Sequence, residues 1–203
     1  MRRFLWLDAL LPGVALAGIL AGFHLDMPAL MSGGVLILGL RFLAAGGLSL
    51  RDRRIPVWNP NYRRFDEAIR EYRGAAAVPM GLAGLLGGGV LAVLALAHLS
   101  GVPLAAMRQA VLARPALALV PVGGVLLLYG LGFLMGFRDD GDTLIGPPAW
   151  NTLITLPGRL GGLVLCLLGL VCLGACAWGL IYPDTLPGLA GQQPATLDQR
   201  RLT

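Results

Sequence analysis

Five stretches of about 20 apolar residues, each long enough to cross a bilayer, recur along this 203-residue chain. They leave little freedom in how it folds. A backbone N–H or C=O inside hydrocarbon finds no water, so each stretch must satisfy its own amides as a helix unless the chain closes into a barrel. Barrel strands alternate polar and apolar residues, and these runs do not. The expected spans are residues 4–23, 29–50, 75–99, 116–137 and 160–181. The second includes Arg41, because residues 29–40 alone are too short to cross. The expected fold class is therefore all-α and polytopic, a bundle of about five transmembrane helices forming one domain over residues 1–182. Residues 183–203 make a polar tail.

Composition closes off the alternatives. Only 13% of residues are charged and 56% are hydrophobic, against about 25% charged in an ordinary soluble domain. Too few polar side chains exist to clothe a soluble enzyme, and the apolar runs exclude a disordered tail. A net charge of +5 suggests nucleic acid in a soluble protein; here topology and anionic lipid head groups explain it, and no nucleic acid is expected. All sixteen basic residues are arginines, an association with GC-rich bacterial genomes. A cytoplasmic N-terminus puts eleven arginines inside and four outside, seven of the eleven lying between Arg51 and Arg73. The expected location is thus a bacterial inner membrane. The first run opens with Arg2 and Arg3 as a signal peptide does, yet it has the length of a span and lacks a cleavage site.

The basic connector, residues 51–74, carries the strongest surface pattern. Asn59 or Asn61 can cap a helix and Pro60 suits its first turn. Tyr62, Phe65, Ile69 and Tyr72 then fall on one stripe, flanked by Arg63, Arg64, Arg70 and Arg73. That spacing predicts an amphipathic helix in the membrane interface, preceded by Arg51, Arg53 and Arg54. It serves either as a plain connector or as a docking surface for an anionic lipid or an acidic partner. A second short helix is expected over residues 103–113, capped by Ser100. The acidic group Asp139, Asp140 and Asp142 lacks the ligand spacing of a calcium loop.

Small residues four apart recur within the runs: Gly18 with Gly22, Gly84 with Gly88, Gly132 with Gly136, and Gly158 with Gly162. Hydrocarbon offers no hydrophobic drive between helices, so close backbone approach supplies the attraction, and these pairs predict tight packing. Asp8 and Arg41 stand inside the first two spans, where charge is costly. A short turn makes those spans an antiparallel hairpin, so the two groups form an ion pair or a proton or ion relay. His24 and His98 end their spans on the same side, as plain interfacial histidines or as haem or metal ligands. Cys166, Cys172 and Cys176 read as small buried packing residues.

No GxSxG, HExxH, P-loop or GxGxxG motif occurs, and no cofactor is called for. The expected function is non-catalytic: an integral membrane subunit packing against other membrane subunits in a larger assembly, such as a secretion, conjugation or respiratory complex, with lipids as further partners. The alternative is a small solute or ion transporter or channel using Asp8 and Arg41. The third is a haem- or quinone-associated electron-transfer subunit or membrane enzyme using His24 and His98.

Overall fold

The computed structural model describes residues 2–58, 69–135 and 148–182. It is an all-α membrane bundle. Its helices are α1 (Arg2–His24), α2 (Pro28–Asp52), α3 (Ala77–Leu99), α4 (Leu104–Ala113), α5 (Pro115–Met135) and α6 (Pro148–Ile181). Four stretches are long and apolar enough to cross a membrane: Pro28–Asp52, Gly74–Leu99, Ala118–Met135 and Gly158–Ile181. The expected first span is helical throughout, with Pro12 inside the helix. Its 23 residues reach about 34 Å at 1.5 Å per residue, enough for a hydrocarbon core of about 30 Å. The side chains of residues 2–9 lie outside the description, and over Leu10–His24 the helix is apolar.

Substantial helix contacts among the described residues follow chain order: α1 on α2, α2 on α3, α3 on α5, and α5 on α6. The result is a row with free ends. Its interior is built of small side chains, with Ala15, Ala77, Ala83, Ala92, Ala95, Cys166 and Cys176 all buried, while most leucines and valines point outward. This inversion is what lipid permits. Leucine gains nothing by leaving hydrocarbon, so the seams go to residues that let backbones touch.

The ends of the helices are set by turn chemistry. Gly101, at φ 103°, ends α3 in the left-handed region; its N–H donates to the His98 carbonyl at 3.0 Å, and that of Val102 donates to Ala97 at 3.0 Å. Ser100 does not cap α4 as expected. Its hydroxyl turns back to the Ala97 carbonyl at 2.8 Å, and Pro103 occupies the N-cap. At the far end of α6, Trp178 and Tyr182 lie 4.7 Å apart, both exposed, as an aromatic pair suited to the head-group level.

The connector between α2 and α3 departs from the expected helix. Residues Arg54–Trp58 form β1, which pairs antiparallel with β2, Ile69–Arg73. Ile69 and Tyr72 therefore belong to a strand. The register sets Ile55 opposite Tyr72 and Arg54 opposite Arg73. Pro56 lacks an N–H, but a two-stranded ribbon has only edges, where proline is tolerated.

Burial explains why the ribbon wins. Tyr72 is 1% exposed, wedged on Ala76 and Met80 with its ring edge-on to Phe133 at 6.0 Å. Ile55 and Tyr129 pack on the same cluster. A helix lying in the interface would leave this ring among the lipids; the ribbon drives it into the joint between α3 and α5. Losing so large a buried ring costs about 3–5 kcal/mol.

Candidate functional site

Two features of the chain go beyond membrane residence: the glycine seams and the basic end of the bundle. In the α2–α3 seam, a methyl placed on Gly88 would stand 2.7 Å from the Gly39 carbonyl oxygen, and one on Gly39 would stand 3.0 Å from that of Gly88. Gly46 and Gly81 oppose each other in the same way, at 2.6 and 3.1 Å. In the α5–α6 seam the reciprocal pairs are Gly130 with Gly162 (2.7 and 2.9 Å) and Gly123 with Gly169 (3.0 and 2.8 Å). No side chain fits at these points, because what it would meet is backbone.

Within each helix the paired glycines are seven residues apart, as in Gly39 and Gly46 or Gly162 and Gly169. Seven residues fall about 20° short of two full turns, so the contacts stay on one seam when the helices lean slightly across each other. The expected spacing of four is only partly what the structure uses. Gly84 and Gly88 both face α2. A methyl on Gly18 would stand 3.7 Å from the Gly34 Cα, and one on Gly22 would run into the Met31 backbone, so this pair holds α1 on α2. Gly132 faces Met80 across the α3–α5 joint, and Gly136 lies outside the described residues. The Gly158–Gly162 pair splits. Gly162 is in the seam, while a methyl on Gly158 would meet nothing within 4 Å among the described residues.

The two seams coincide at one of their two glycine crossings, Gly39–Gly88 with Gly130–Gly162, while Gly46–Gly81 and Gly123–Gly169 lie to opposite sides of it. A methyl on Gly88 meets Gly39 O, Leu43 N and Phe42 Cβ; one on Gly162 meets Gly130 O, Leu134 N and Phe133 Cβ. The sequences agree in that alignment. GLRFL at 39–43 stands against GLGFL at 130–134, and GLLGGGVLAVLALAHL at 84–99 shares nine positions with GRLGGLVLCLLGLVCL at 158–173. The chain thus holds one helical hairpin twice, α2–α3 and α5–α6, side by side.

Of the two expected ionisable residues, Arg41 sits in the first hairpin, on α2. Arg41 is half-buried, its guanidinium carbon 6.0 Å from the Phe42 ring centroid. Its Nε is buried. Asp8 lies on α1, its side chain outside the description. The α1–α2 register, in which Gly22 meets Met31 and Gly34 meets Ala15, sets position 8 level with positions 41–45. In the second hairpin Gly132 takes the place of Arg41.

His24 ends α1, its ring edge-on to Phe23 at 5.8 Å; His98 is in the last turn of α3, its Nδ1 donating to the Val102 carbonyl at 2.8 Å. Helix α2 stands between α1 and α3. His98, Ser32 and Arg108 line an apolar groove of about 370 Å³ under α4. Among the described residues no three histidine, cysteine or acidic side chains gather as a metal site.

The basic end is formed where α2 runs out. Arg53 adopts a left-handed backbone (φ 49°), as does Gly74 (φ 67°), and the Gly74 N–H donates to the Arg53 carbonyl at 2.9 Å. This closes the base of the ribbon and gathers Arg51, Arg53, Arg54 and Arg73 at one level. Arg51 is 84% exposed beside Asp52 at 3.9 Å, so that pair is solvated. Arg70 lies on β2 with its side chain outside the description, and Arg63, Arg64 and Phe65 fall outside the described residues.

No protein-family model, curated protein or solved structure matches this chain.

The repeat and the basic end are the features of this chain that bear on function. Both were readable in part. The repeated GL-x-FL and the glycines seven apart were present in the sequence, but they are heard only when the helices are compared with each other.

Proposed function

We propose that this chain is a non-catalytic integral membrane subunit that packs against other subunits in a larger assembly. The observation that supports it is a packing surface used once and repeated bare. On α3, Leu86 lies against Gly124 of α5 and Gly87 against Val125. The repeat carries the same pair onto α6 as Leu160 and Gly161. Leu160 is 53% exposed there, and Gly161 has open space beside it. A helix from another subunit presenting a small residue would fill that gap as α5 fills the one on α3.

The arginine bias supports a bacterial inner membrane with the N-terminus and the basic ribbon in the cytoplasm, where anionic head groups and acidic partners meet it. Affinity purification in mild detergent, followed by mass measurement of the intact particle, tests the reading. The expected particle contains further membrane chains, and Leu160→Ala with Gly161→Leu releases them. A chain recovered alone in one copy contradicts it.

One observation favours a second reading, a small solute or ion transporter: the level register of position 8 with Arg41 and the partial burial of that arginine. Flux into proteoliposomes that stops with Asp8→Asn or Arg41→Gln, folding retained, would replace the first reading with this one.

A further inference from the structure

At the end of the bundle away from the ribbon, α4 stands over the α2–α3 seam with a groove of about 370 Å³ between them. Leu104, Met107, Arg108, Val111 and Leu112 share one face of α4 and form the roof. Met31 and Val35 of α2, with Leu94 and Ala95 of α3, form the floor. Two polar groups meet at its end. Gly39 faces Gly88 and Ala92, so Ser32, seven residues earlier on the antiparallel partner, falls level with residues 95–99 and hence with His98. Ser32 is only 4% exposed. His98 is half-buried, and its Nδ1 is committed to the Val102 carbonyl at 2.8 Å. A carbonyl only accepts, so the ring proton sits on Nδ1 and the neutral ring keeps a lone pair on Nε2. Arg108, exposed on α4, adds donors at the rim, and no acidic side chain is among the lining residues.

These groups narrow the occupant. The Nε2 lone pair accepts from an O–H, which the carboxylate of a fatty acid does not have. The Ser32 hydroxyl and Arg108 donate, so the same head must also accept. A phenolic hydroxyl does both. Met31 and Met107 line the groove from α2 and from α4, and a thioether sulfur packs well at the edge of an aromatic ring. Depth agrees. His98 is in the last turn of α3, and Leu94 lies one turn nearer the hydrocarbon centre, so a polar head at the boundary carries an apolar tail inward. The volume is at the small end of the roughly 300–1,000 Å³ of ligand pockets, room for one ring and the start of a tail. We infer that the groove binds a membrane-borne hydroquinone. One ring hydroxyl donates to His98 Nε2 and accepts from Ser32, the ring lies between Met31 and Met107, and the tail runs along Val35 and Leu94. The site is built by this chain alone, so it stands whether or not partner subunits are found.

Nitrogen NMR of the whole protein in phosphatidylcholine nanodiscs, labelled in the rings of its two histidines, reads the assigned atom. Decyl-hydroquinone, kept reduced, is expected to shift the His98 Nε2 signal as a nitrogen that accepts a hydrogen bond, and to leave His24 in place. Its dimethyl ether has the same ring and tail but no O–H, and is expected to leave the signal unmoved, as is decanoate. Titration of the shift gives the Kd. Ser32→Ala is expected to weaken it about three- to tenfold, the scale of one neutral hydrogen bond. Leu112→Trp, on the surface helix, fills the groove without touching His98 or Ser32 and is expected to abolish the shift. Leu170→Trp on the open face of α6 is expected to leave it intact. An equal shift with the dimethyl ether, a shift with decanoate, no response of His98 to the hydroquinone, or a response unweakened by Ser32→Ala or by Leu112→Trp would each overturn the assignment.

Discussion

The α2–α3 and α5–α6 hairpins use one seam for two different ends. In both, glycines seven residues apart lock backbone to backbone, and a Phe-Leu step sits over the glycine of the facing helix. They part at a single position within the shared GL-x-FL. Where the first has Arg41, half-buried and charged, the second has Gly132, pressed against Met80. Their surroundings differ as well. The first hairpin has α1 on one side and α5 on the other, and it carries the ribbon. Among the described residues the second has a substantial helix neighbour, α3, on one side only. The comparison teaches that packing is inherited from the repeat while chemistry and partnership are added to it, so a substitution's effect depends on which of these it touches.

The sharpest way to break the comparison is to fill both seams. Gly88→Leu and Gly162→Leu drive a branched side chain into backbone, and each is expected to cost well over the usual ~1–3 kcal/mol of overpacking, leaving no monodisperse folded protein on size exclusion. Gly161→Leu, with open space beside it, should leave the isolated chain folded. If Gly162→Leu were tolerated while Gly88→Leu was not, the two seams would not be equivalent.

Next in size is the ribbon's anchor. Tyr72→Ala should cost about 3–5 kcal/mol if the ribbon unfolds with the bundle. Limited proteolysis near β1 at unchanged helix content would instead show that the ribbon detaches by itself. A smaller effect sharpens the one-residue difference between the hairpins. Arg41→Gln should lower thermal stability by about 1–3 kcal/mol; a smaller loss when Asp8→Asn is already present would show that the two residues are coupled, since interacting groups are not additive. Smallest is Ser49→Ala. Its hydroxyl donates to the Ala45 carbonyl of its own helix at 2.6 Å, and losing that bond should change stability by no more than about 0.5 kcal/mol.

The spans were legible because a run of apolar residues long enough to cross has few alternatives in lipid. Residues 29–50 and 75–99 sit within a residue or two of their observed stretches. Less was legible at the ends. The expected fifth span, residues 160–181, matches the stretch Gly158–Ile181 to within two residues, but α6 itself begins at Pro148, as proline in a first turn permits, and continues through Pro157.

The ribbon was hidden for a different reason. Ile69 and Tyr72, three apart, fit a helical stripe as well as they fit a strand. What decides is the cleft between α3 and α5 that receives Tyr72, which is a tertiary fact. The seam glycines were visible one by one. Counting at intervals of four suits a single helix surface and finds Gly84 with Gly88, but it passes over Gly39, Gly46, Gly123 and Gly130. Their spacing has meaning only against an antiparallel partner. Arg41, His98 and the basic residues Arg53, Arg54 and Arg73 were plain in the sequence; the groove beside His98 was not, since it needs Ser32 of α2 and the face of α4 as well.

The central claim is that the chain crosses the membrane as two equivalent hairpins. Val93 of α3 and Leu167 of α6 are matched by the repeat, and both face outward, 66% and 54% exposed. Spin labels placed singly at these sites in lipid vesicles, with power saturation by oxygen and by a water-soluble nickel complex, read their depth. The account predicts that both are open to oxygen, closed to nickel, and at the same depth to within about one helical turn of 5.4 Å. Nickel access at either site, or depths that differ by more than that turn, would contradict it.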